Sequence, residues 1–220
     1  MGRLRGFYAS MVGKKVIMGV TGLIGVGFVL VHALGNLLVF RGAPAINSYS
    51  HFLKSTGELL WAVRAILIAS VILHVTAAVQ LTRQSRAARP IGYARSERQV
   101  ATLSSRTMRW GGALLLVFII LHILHFTTGT VRPAGAFSNA DVYANVVSSF
   151  RIWWVALFYV IAMMALGLHL FHGAWSSVRS LGVSPASPQP LHRRISMAIA
   201  IFVWAAFTAV PVAVLVGVVR

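Results

Sequence analysis

Five long runs of this sequence contain no charged residue, and they restrict the chain to a membrane-spanning helical fold. The runs are residues 16–40, 65–82, 110–131, 152–178 and 195–219. A helix needs about 20 residues, with a range of about 17–25, to cross a bilayer. We therefore predict an all-α fold, a five-helix transmembrane bundle that forms a single domain over residues 1–220. Its helices are expected at about 16–40, 60–82, 108–131, 152–178 and 195–219.

Composition supports a membrane protein and excludes several functions. The chain is 58% hydrophobic and only 10% charged, whereas soluble domains carry roughly 25% charged residues. Cysteine is absent, which excludes disulfides, thiolate metal sites, iron–sulfur ligation and covalent attachment of a c-type haem. Only three acidic residues are present, and they do not form the paired carboxylates of hydrolytic acid–base chemistry.

The basic residues predict how the chain is oriented. Fourteen of the twenty lie in the N-terminal tail and in the stretches 83–109 and 179–194, whereas six lie on the other side of the predicted helices. The positive-inside rule then places the N-terminus in the cytoplasm of a multi-pass protein of the cell membrane. Because the basic residues cluster between apolar runs, they indicate contact with the membrane surface, and we expect no nucleic-acid partner.

A histidine lies inside each of the first four apolar runs, at a matched distance from an arginine. His32, His74, His122 and His169 are each followed by an arginine after nine or ten residues. An imidazole is costly to place in hydrocarbon unless it has a partner. Four at matched depth indicate pairs, and a pair of neutral imidazoles is what a six-coordinate haem iron binds. The alternative is four buried histidines that form hydrogen bonds between helices.

Helix direction sorts these histidines into two layers. The first and third helices run outward and the second and fourth run inward, so equal offsets from the arginines become two depths about 12–17 Å apart. The prediction is an outer haem between His32 and His122 and an inner haem between His74 and His169. Spacing alone leaves open whether His125 replaces His122 and whether His172 replaces His169. His51 and His192 are expected in loops, as are residues 184–190, which are rich in proline.

Several sequence blocks resemble the cytochrome b membrane subunit of succinate dehydrogenases and fumarate reductases, in its single-chain, five-helix, two-haem (b558-type) form. The most specific block runs from Thr21-Gly22 through His32 and Asn36 to residues 41–52. The resemblance covers nearly the whole chain. By the family's spacing from Gly112 the third ligand is His122, and by its pattern of His, three residues, Gly, one residue, aromatic the fourth is His169.

The resemblance also implies further site residues. Residues 148–151 resemble a segment whose arginine binds a propionate of the outer haem, a role that falls on Arg151. Arg179, Lys14 and Lys15 could also pair with propionates, with anchoring at the membrane surface as the alternative. Asn47, Ser50 and His51 are the quinone candidates. Gly167 stands where some fumarate reductases carry a glutamate proposed for proton transfer, so that proton path is not expected here.

The resemblance implies a place in an electron-transfer complex. The chain would anchor a flavoprotein subunit (FAD) and an iron–sulfur subunit on the cytoplasmic face, in a complex that could form a higher oligomer. It would carry two haems b with bis-histidine ligation and pass electrons to a quinone, usually menaquinone. The chain would thus be the membrane subunit of a respiratory succinate dehydrogenase without itself oxidising succinate. Two alternatives are the cytochrome b of another quinone-linked enzyme, such as a formate dehydrogenase, a hydrogenase or a quinol–cytochrome c reductase, and a transporter that uses histidine.

Overall fold

The computed structural model describes residues 2–88, 103–183 and 190–220, and every regular element in these residues is helical. The helices are α1 (Gly2–Ala9), α2 (Met11–Leu37, continued by a 3-10 turn over Leu38–Arg41), α3 (Ala43–Ser55), α4 (Glu58–Ala87), α5 (Leu103–His122, continued by a π turn over Ile123–Thr127), α6 (Val142–Phe150), α7 (Trp153–Ser180) and α8 (Pro190–Leu215). Within the described residues, α2, α4, α5, α7 and α8 are long and apolar enough to cross a membrane. The predicted all-helical fold with five spanning helices is confirmed.

The ends of the spanning helices differ from the prediction for local reasons. α2 begins at Met11 because the Ser10 side chain caps it, accepting a hydrogen bond of 2.9 Å from the backbone N–H of Gly13. The third span ends at Thr127 instead of residue 131. Gly129 has a φ of 63°, a left-handed conformation that terminates helices. A charge-free sequence continued past this point, so the absence of charge overestimated the length of the helix.

Two short helices, α3 and α6, pack against each other at one end of the bundle. Asn47 of α3 donates from its amide to Asp141, which caps α6, and accepts from the backbone N–H of Tyr143 at 3.0 Å. Lys54 also donates to the backbone carbonyl of Asn139. These contacts fix what we call the α3–α6 end, where α2, α5 and α8 finish and α4 and α7 begin.

The spanning helices alternate in direction and surround α2 and α7. α2 packs against α4, α7 and α8, and α7 packs against α5 and α8. The buried core near the α3–α6 end includes Phe150, Ala156, Ala162 and Val210. Large apolar side chains such as Trp61 remain exposed along the outside, which suits helices surrounded by lipid. The chain is therefore a multi-pass helical membrane protein.

His51 and His192 lie on helices, although the sequence placed them in loops. His51 is an exposed residue of α3, and His192 is in the first turn of α8. The predicted loop 184–190 lies outside the described residues except for Pro190, which begins α8. Proline is well tolerated in a first helical turn, because the N–H it lacks has no partner there.

Candidate functional site: two histidine pairs

The structure brings the four central histidines together as two pairs of rings. The ring centres of His32 and His122 lie 5.9 Å apart with an interplanar angle of 76°. The ring centres of His74 and His169 lie 6.2 Å apart with an angle of 58°. Each pair joins two different helices, α2 with α5 and α4 with α7. These are the two pairs that helix direction predicted.

The two pairs lie at different depths in the bundle. The hydroxyl of Tyr159 on α7 is 3.5 Å from Nδ1 of His122, and His169 follows ten residues later on the same helix. On α2, Thr21 contacts His74, and His32 follows eleven residues later. At a rise of 1.5 Å per residue, both helices give a separation of about 15–17 Å. The His32–His122 pair is the one nearer the α3–α6 end.

The surroundings of His74 determine which of its nitrogens is free. Nδ1 lies 3.1 Å from the backbone carbonyl of Met18 and 3.2 Å from the hydroxyl of Thr21. A carbonyl can only accept, so the proton is on Nδ1 and Nε2 keeps its lone pair. Histidine ligands of metals are commonly held in this way, with one ring N–H bonded to a backbone carbonyl. Nε2 is therefore the nitrogen of His74 that has a lone pair available for coordination.

Aromatic rings pack against both histidines of the other pair. Phe28 stacks on His32 with ring centres 5.3 Å apart and 12° between the planes. Phe118 stacks on His122 at 5.6 Å and 25°. Asn36, one turn after His32, is anchored by a 2.8 Å hydrogen bond from its amide to the backbone carbonyl of His32. The ring contacts limit rotation of both imidazoles.

The geometry of both pairs fits a haem iron between the rings. Two imidazole nitrogens, each about 2 Å from a shared metal, are about 4 Å apart and place their ring centres about 6 Å apart. The described residues contain no group of three or more side chains that could hold a metal ion by themselves. A b-type haem needs only two protein ligands per iron, because the macrocycle supplies the other four.

Small residues and open space lie beside the pair formed by His74 and His169. A Cβ placed on Gly22 would lie 3.3 Å from Cε1 of His74, and one on Gly112 would lie 3.7 Å from Cε1 of His169. A cavity of about 270 Å³, lined mostly by apolar residues of α5 and α7, reaches His169. Nδ1 of His169 is buried without a hydrogen-bond partner among the described residues. These features suit a flat apolar cofactor against the rings.

The neighbouring histidines have different surroundings. His125 is buried, and both its nitrogens are occupied: Nδ1 lies 3.0 Å from the hydroxyl of Tyr159, and Nε2 lies 2.9 Å from the hydroxyl of Ser149. The ring of His172 packs edge-on against Trp175. The occupied nitrogens of His125 favour His122 as the residue free to coordinate. The contacts of His172 do not distinguish it from His169.

The basic candidates lie at the two ends of the bundle. Arg151 is exposed and follows α6 directly, two residues after Ser149. At the opposite end, the guanidinium of Arg179 lies 4.9 Å from the ring centre of Trp175. Lys14 is buried and donates from Nζ to the carbonyl of Ala9 at 2.8 Å, so it holds α1 against α2. Lys15 is exposed.

The three quinone candidates lie on α3. The amide of Asn47 is engaged on both sides, with Asp141 and Tyr143. Ser50 is partly exposed and His51 is exposed. Gly167 stands where some fumarate reductases carry a glutamate. A Cβ at this position would lie 3.3 Å from Cβ of Trp204, so a longer side chain would have to displace Trp204.

Sequence reasoning missed the hydrogen-bond partners of the histidines. Thr21 was noted only as part of a motif, and Tyr159 was not singled out. Tyr159 carries a polar group within the charge-free run 152–178 and lies ten residues before His169. That spacing matches the distance between the two layers, and it is the signal that could have identified Tyr159.

Together, five membrane-length helices and two interhelical histidine pairs at two depths define a multi-pass helical membrane protein with paired histidines in its interior. The chain is 26% identical over 190 residues to the succinate dehydrogenase cytochrome b558 subunit of Bacillus subtilis (strain 168). The aligned region covers 85% of this chain and 87% of that protein. No family model matches the chain, and no solved structure matches it.

Proposed function

We propose that this chain is the di-haem cytochrome b membrane anchor of a succinate:quinone oxidoreductase. The observation that carries the proposal is the stacking of two facing histidine pairs at two depths of one helical bundle. The similarity to a succinate dehydrogenase cytochrome b558 subunit over most of both chains supports it. The chain would relay electrons from an iron–sulfur subunit to a quinone, and it would not oxidise succinate itself.

The two histidines of each pair would hold one haem b. His32 and His122 form the pair nearer the α3–α6 end, and His74 and His169 form the pair farther from that end. When bound, the two haems would supply reversible one-electron transfer across the membrane. The protein contributes the ligands and the bonds that orient them, such as the contact of His74 with the carbonyl of Met18. The surrounding apolar helices exclude water from both sites.

Charge at the two ends favours a particular orientation. The stretch 83–109, most of which lies outside the described residues, carries seven of the twenty basic residues, and the positive-inside rule puts it in the cytoplasm. The flavoprotein and iron–sulfur subunits would dock on that face, and the α3–α6 end would face outward. Arg151 would then lie at the outer end and Arg179 at the inner end, each as a partner for haem propionates.

The quinone would bind at the outer end, beside α3. Both sides of the Asn47 amide hold other groups, so Ser50 and His51 are the better candidates to contact the quinone. Reduction of a quinone consumes protons, so a side chain that can carry a proton suits this position. The family resemblance favours menaquinone as the substrate.

Haem content and reductant specificity test the proposal together. The chain is to be purified with its partner subunits, and its haem is to be measured as the pyridine haemochrome. We expect two b haems per chain, reduced by succinate and reoxidised by a menaquinone analogue. An absence of haem would favour a histidine-using transporter. Haem that is reduced by formate, hydrogen or a quinol, but not by succinate, would move the chain to another quinone-linked enzyme.

A further inference from the structure

Three buried polar side chains connect His122 to α6, the short helix at the α3–α6 end of the bundle. The hydroxyl of Tyr159 lies 3.5 Å from Nδ1 of His122 and 3.0 Å from Nδ1 of His125. The other nitrogen of His125, Nε2, lies 2.9 Å from the hydroxyl of Ser149 on α6. Tyr159, His125 and Ser149 are all buried. Buried polar groups are costly unless satisfied, so we treat this row as one unit, the Tyr159–His125–Ser149 chain.

His122 and His125 lie three residues apart, where α5 passes into its π turn, and both contact the same tyrosine. The turn spans Ile123–Thr127 and begins directly after His122. The ring of Tyr159 lies 6.0 Å from the ring of His122 and 5.8 Å from that of His125, edge-on to both. Phe126 stacks on His125 at 4.0 Å and holds the ring in place. Single π turns of this kind are frequent at functional sites.

If His122 binds iron, the hydrogen bonds of the Tyr159–His125–Ser149 chain can be donated in only one direction. If Nε2 of His122 binds iron, the proton of the neutral ring is on Nδ1, and it must be donated to the oxygen of Tyr159. The tyrosine then donates its own proton to Nδ1 of His125. The remaining proton of His125 is on Nε2, from which it is donated to Ser149. Each donor from His122 to His125 thus meets one acceptor.

We propose that Tyr159, held by His125 and Ser149, is a positioning residue that fixes the tautomer of His122 and raises its basicity as a ligand. The inference rests on the proposed function, since it concerns a ligand of the outer haem. A partner that accepts from the distal N–H of a ligand histidine makes that histidine a stronger electron donor. A stronger electron donor stabilises the oxidised form of the iron. The Tyr159–His125–Ser149 chain would therefore lower the midpoint potential of the outer haem.

Among the described residues, no corresponding row of hydrogen bonds reaches the inner pair, so the effect should be specific to one haem. Nδ1 of His169 is buried without a partner among the described residues. Nδ1 of His74 contacts the carbonyl of Met18 and the hydroxyl of Thr21 on α2, and Tyr159 is not part of that contact. A change at Tyr159 should therefore alter the outer haem and leave the inner haem unchanged.

Potentiometry of the purified complex tests the proposal. We expect Tyr159→Phe to raise the midpoint potential of the outer haem, identified as the haem that His122→Ala removes, and to change its low-spin electron paramagnetic resonance signal. The potential of the inner haem should not change. The matched control is Tyr143→Phe, which removes a tyrosine hydroxyl bonded to the carbonyl of Arg220 at the same end of the bundle. It should leave both haems as in the unaltered protein.

The possible failures can be distinguished. If the unaltered complex lacks haem, the proposed function is wrong. If it holds two haems and Tyr159→Phe leaves both potentials and signals unchanged, or changes the inner haem as much as the outer, the proposed function stands and this inference is wrong. If Tyr159→Phe does not accumulate, His125→Leu tests the inference in its place. We expect it to raise the midpoint potential of the outer haem, and no rise would overturn the inference.

Discussion

At the scale of single residues, the sequence identified the four central histidines but not their partners. The histidines could be found because an imidazole is rare in an apolar run and because each lies nine or ten residues before an arginine. The hydroxyls of Thr21 and Tyr159 contact His74 and His122 across helices. Such contacts depend on how the helices are rotated against each other, which no pattern within one helix specifies.

Substitution of neighbouring histidines tests the choice of ligands. We expect His122→Ala to lose the outer haem, because its coordinating nitrogen goes with the ring. His125→Ala should retain both haems, because both nitrogens of His125 bond other side chains. His169→Ala and His172→Ala should give the same contrast for the inner haem. The measurement is haem per chain from the pyridine haemochrome spectrum. The ligand assignment is wrong if the first variant of either pair keeps a haem that the second loses.

The space beside His74 gives a second prediction at this scale. In Gly22→Val, the new side chain meets Cε1 of His74, which a Cβ already approaches to 3.3 Å. The ring must move, and changes in what orients a ligand histidine weaken metal binding about 10-fold or more. We expect the inner site to bind haem more weakly when the purified protein is titrated with haem. Gly27→Val is the control, because its Cβ would meet nothing within 4 Å, and a loss as large in that variant would contradict the argument.

At the scale of elements, absence of charge located the spanning helices but not what joins them. α3 and α6 contain polar residues and were not predicted, although both are amphipathic helices that pack together. Asn47 links the two helices, because it bonds both Asp141 and the backbone of Tyr143. The partners are 94 and 96 residues apart in sequence, so local reasoning could not pair them. The end of α5 was also missed, because Gly129 terminates it by conformation.

Asp141 links the stability of α6 to pH. Hydrogen bonds from the backbone N–H of Ala144 and from the amide of Asn47 lower the pKa of its carboxyl below the ordinary value of 3.8. The stabilisation is therefore complete above that value and is lost as the pH falls through the lowered pKa of the folded state. Removal of a capping aspartate typically costs about 1 kcal/mol.

Hydrogen exchange of α6 checks this effect. We expect Asp141→Ala to reduce the protection of amides in Val142–Phe150 roughly 5-fold near neutral pH, which corresponds to the typical loss of a cap. Asp141→Asn keeps a capping oxygen, so it should preserve protection and remove the loss at acid pH. Glu58→Ala is the matched control, since Glu58 lies in the first turn of α4 and does not cap it. Equal losses in Asp141→Ala and Glu58→Ala would show that charge, not capping, is responsible.

At the scale of the whole molecule, the pairing of the histidines and the orientation of the bundle are separate questions. Alternating helix direction predicted which histidines face each other, and the ring distances of 5.9 and 6.2 Å agree with that pairing. Inverting the protein in the membrane would exchange inner and outer but keep both pairs. The bundle has the same internal contacts in either orientation, so orientation depends on the membrane and on the basic residues outside the helices.

Single cysteines can determine the orientation, because the chain contains none of its own. Ser55 is exposed at the end of α3, and Ser85 is exposed in the last turns of α4 at the opposite end. With a membrane-impermeant maleimide, we expect Ser55→Cys to react in right-side-out vesicles. Ser85→Cys should react only in inverted vesicles, and more strongly once the peripheral subunits are stripped, since these would cover the arginine-rich face. Reaction of Ser85→Cys from the outside would reverse the orientation, and with it the face on which the flavoprotein and iron–sulfur subunits dock, while leaving the histidine pairs as they are.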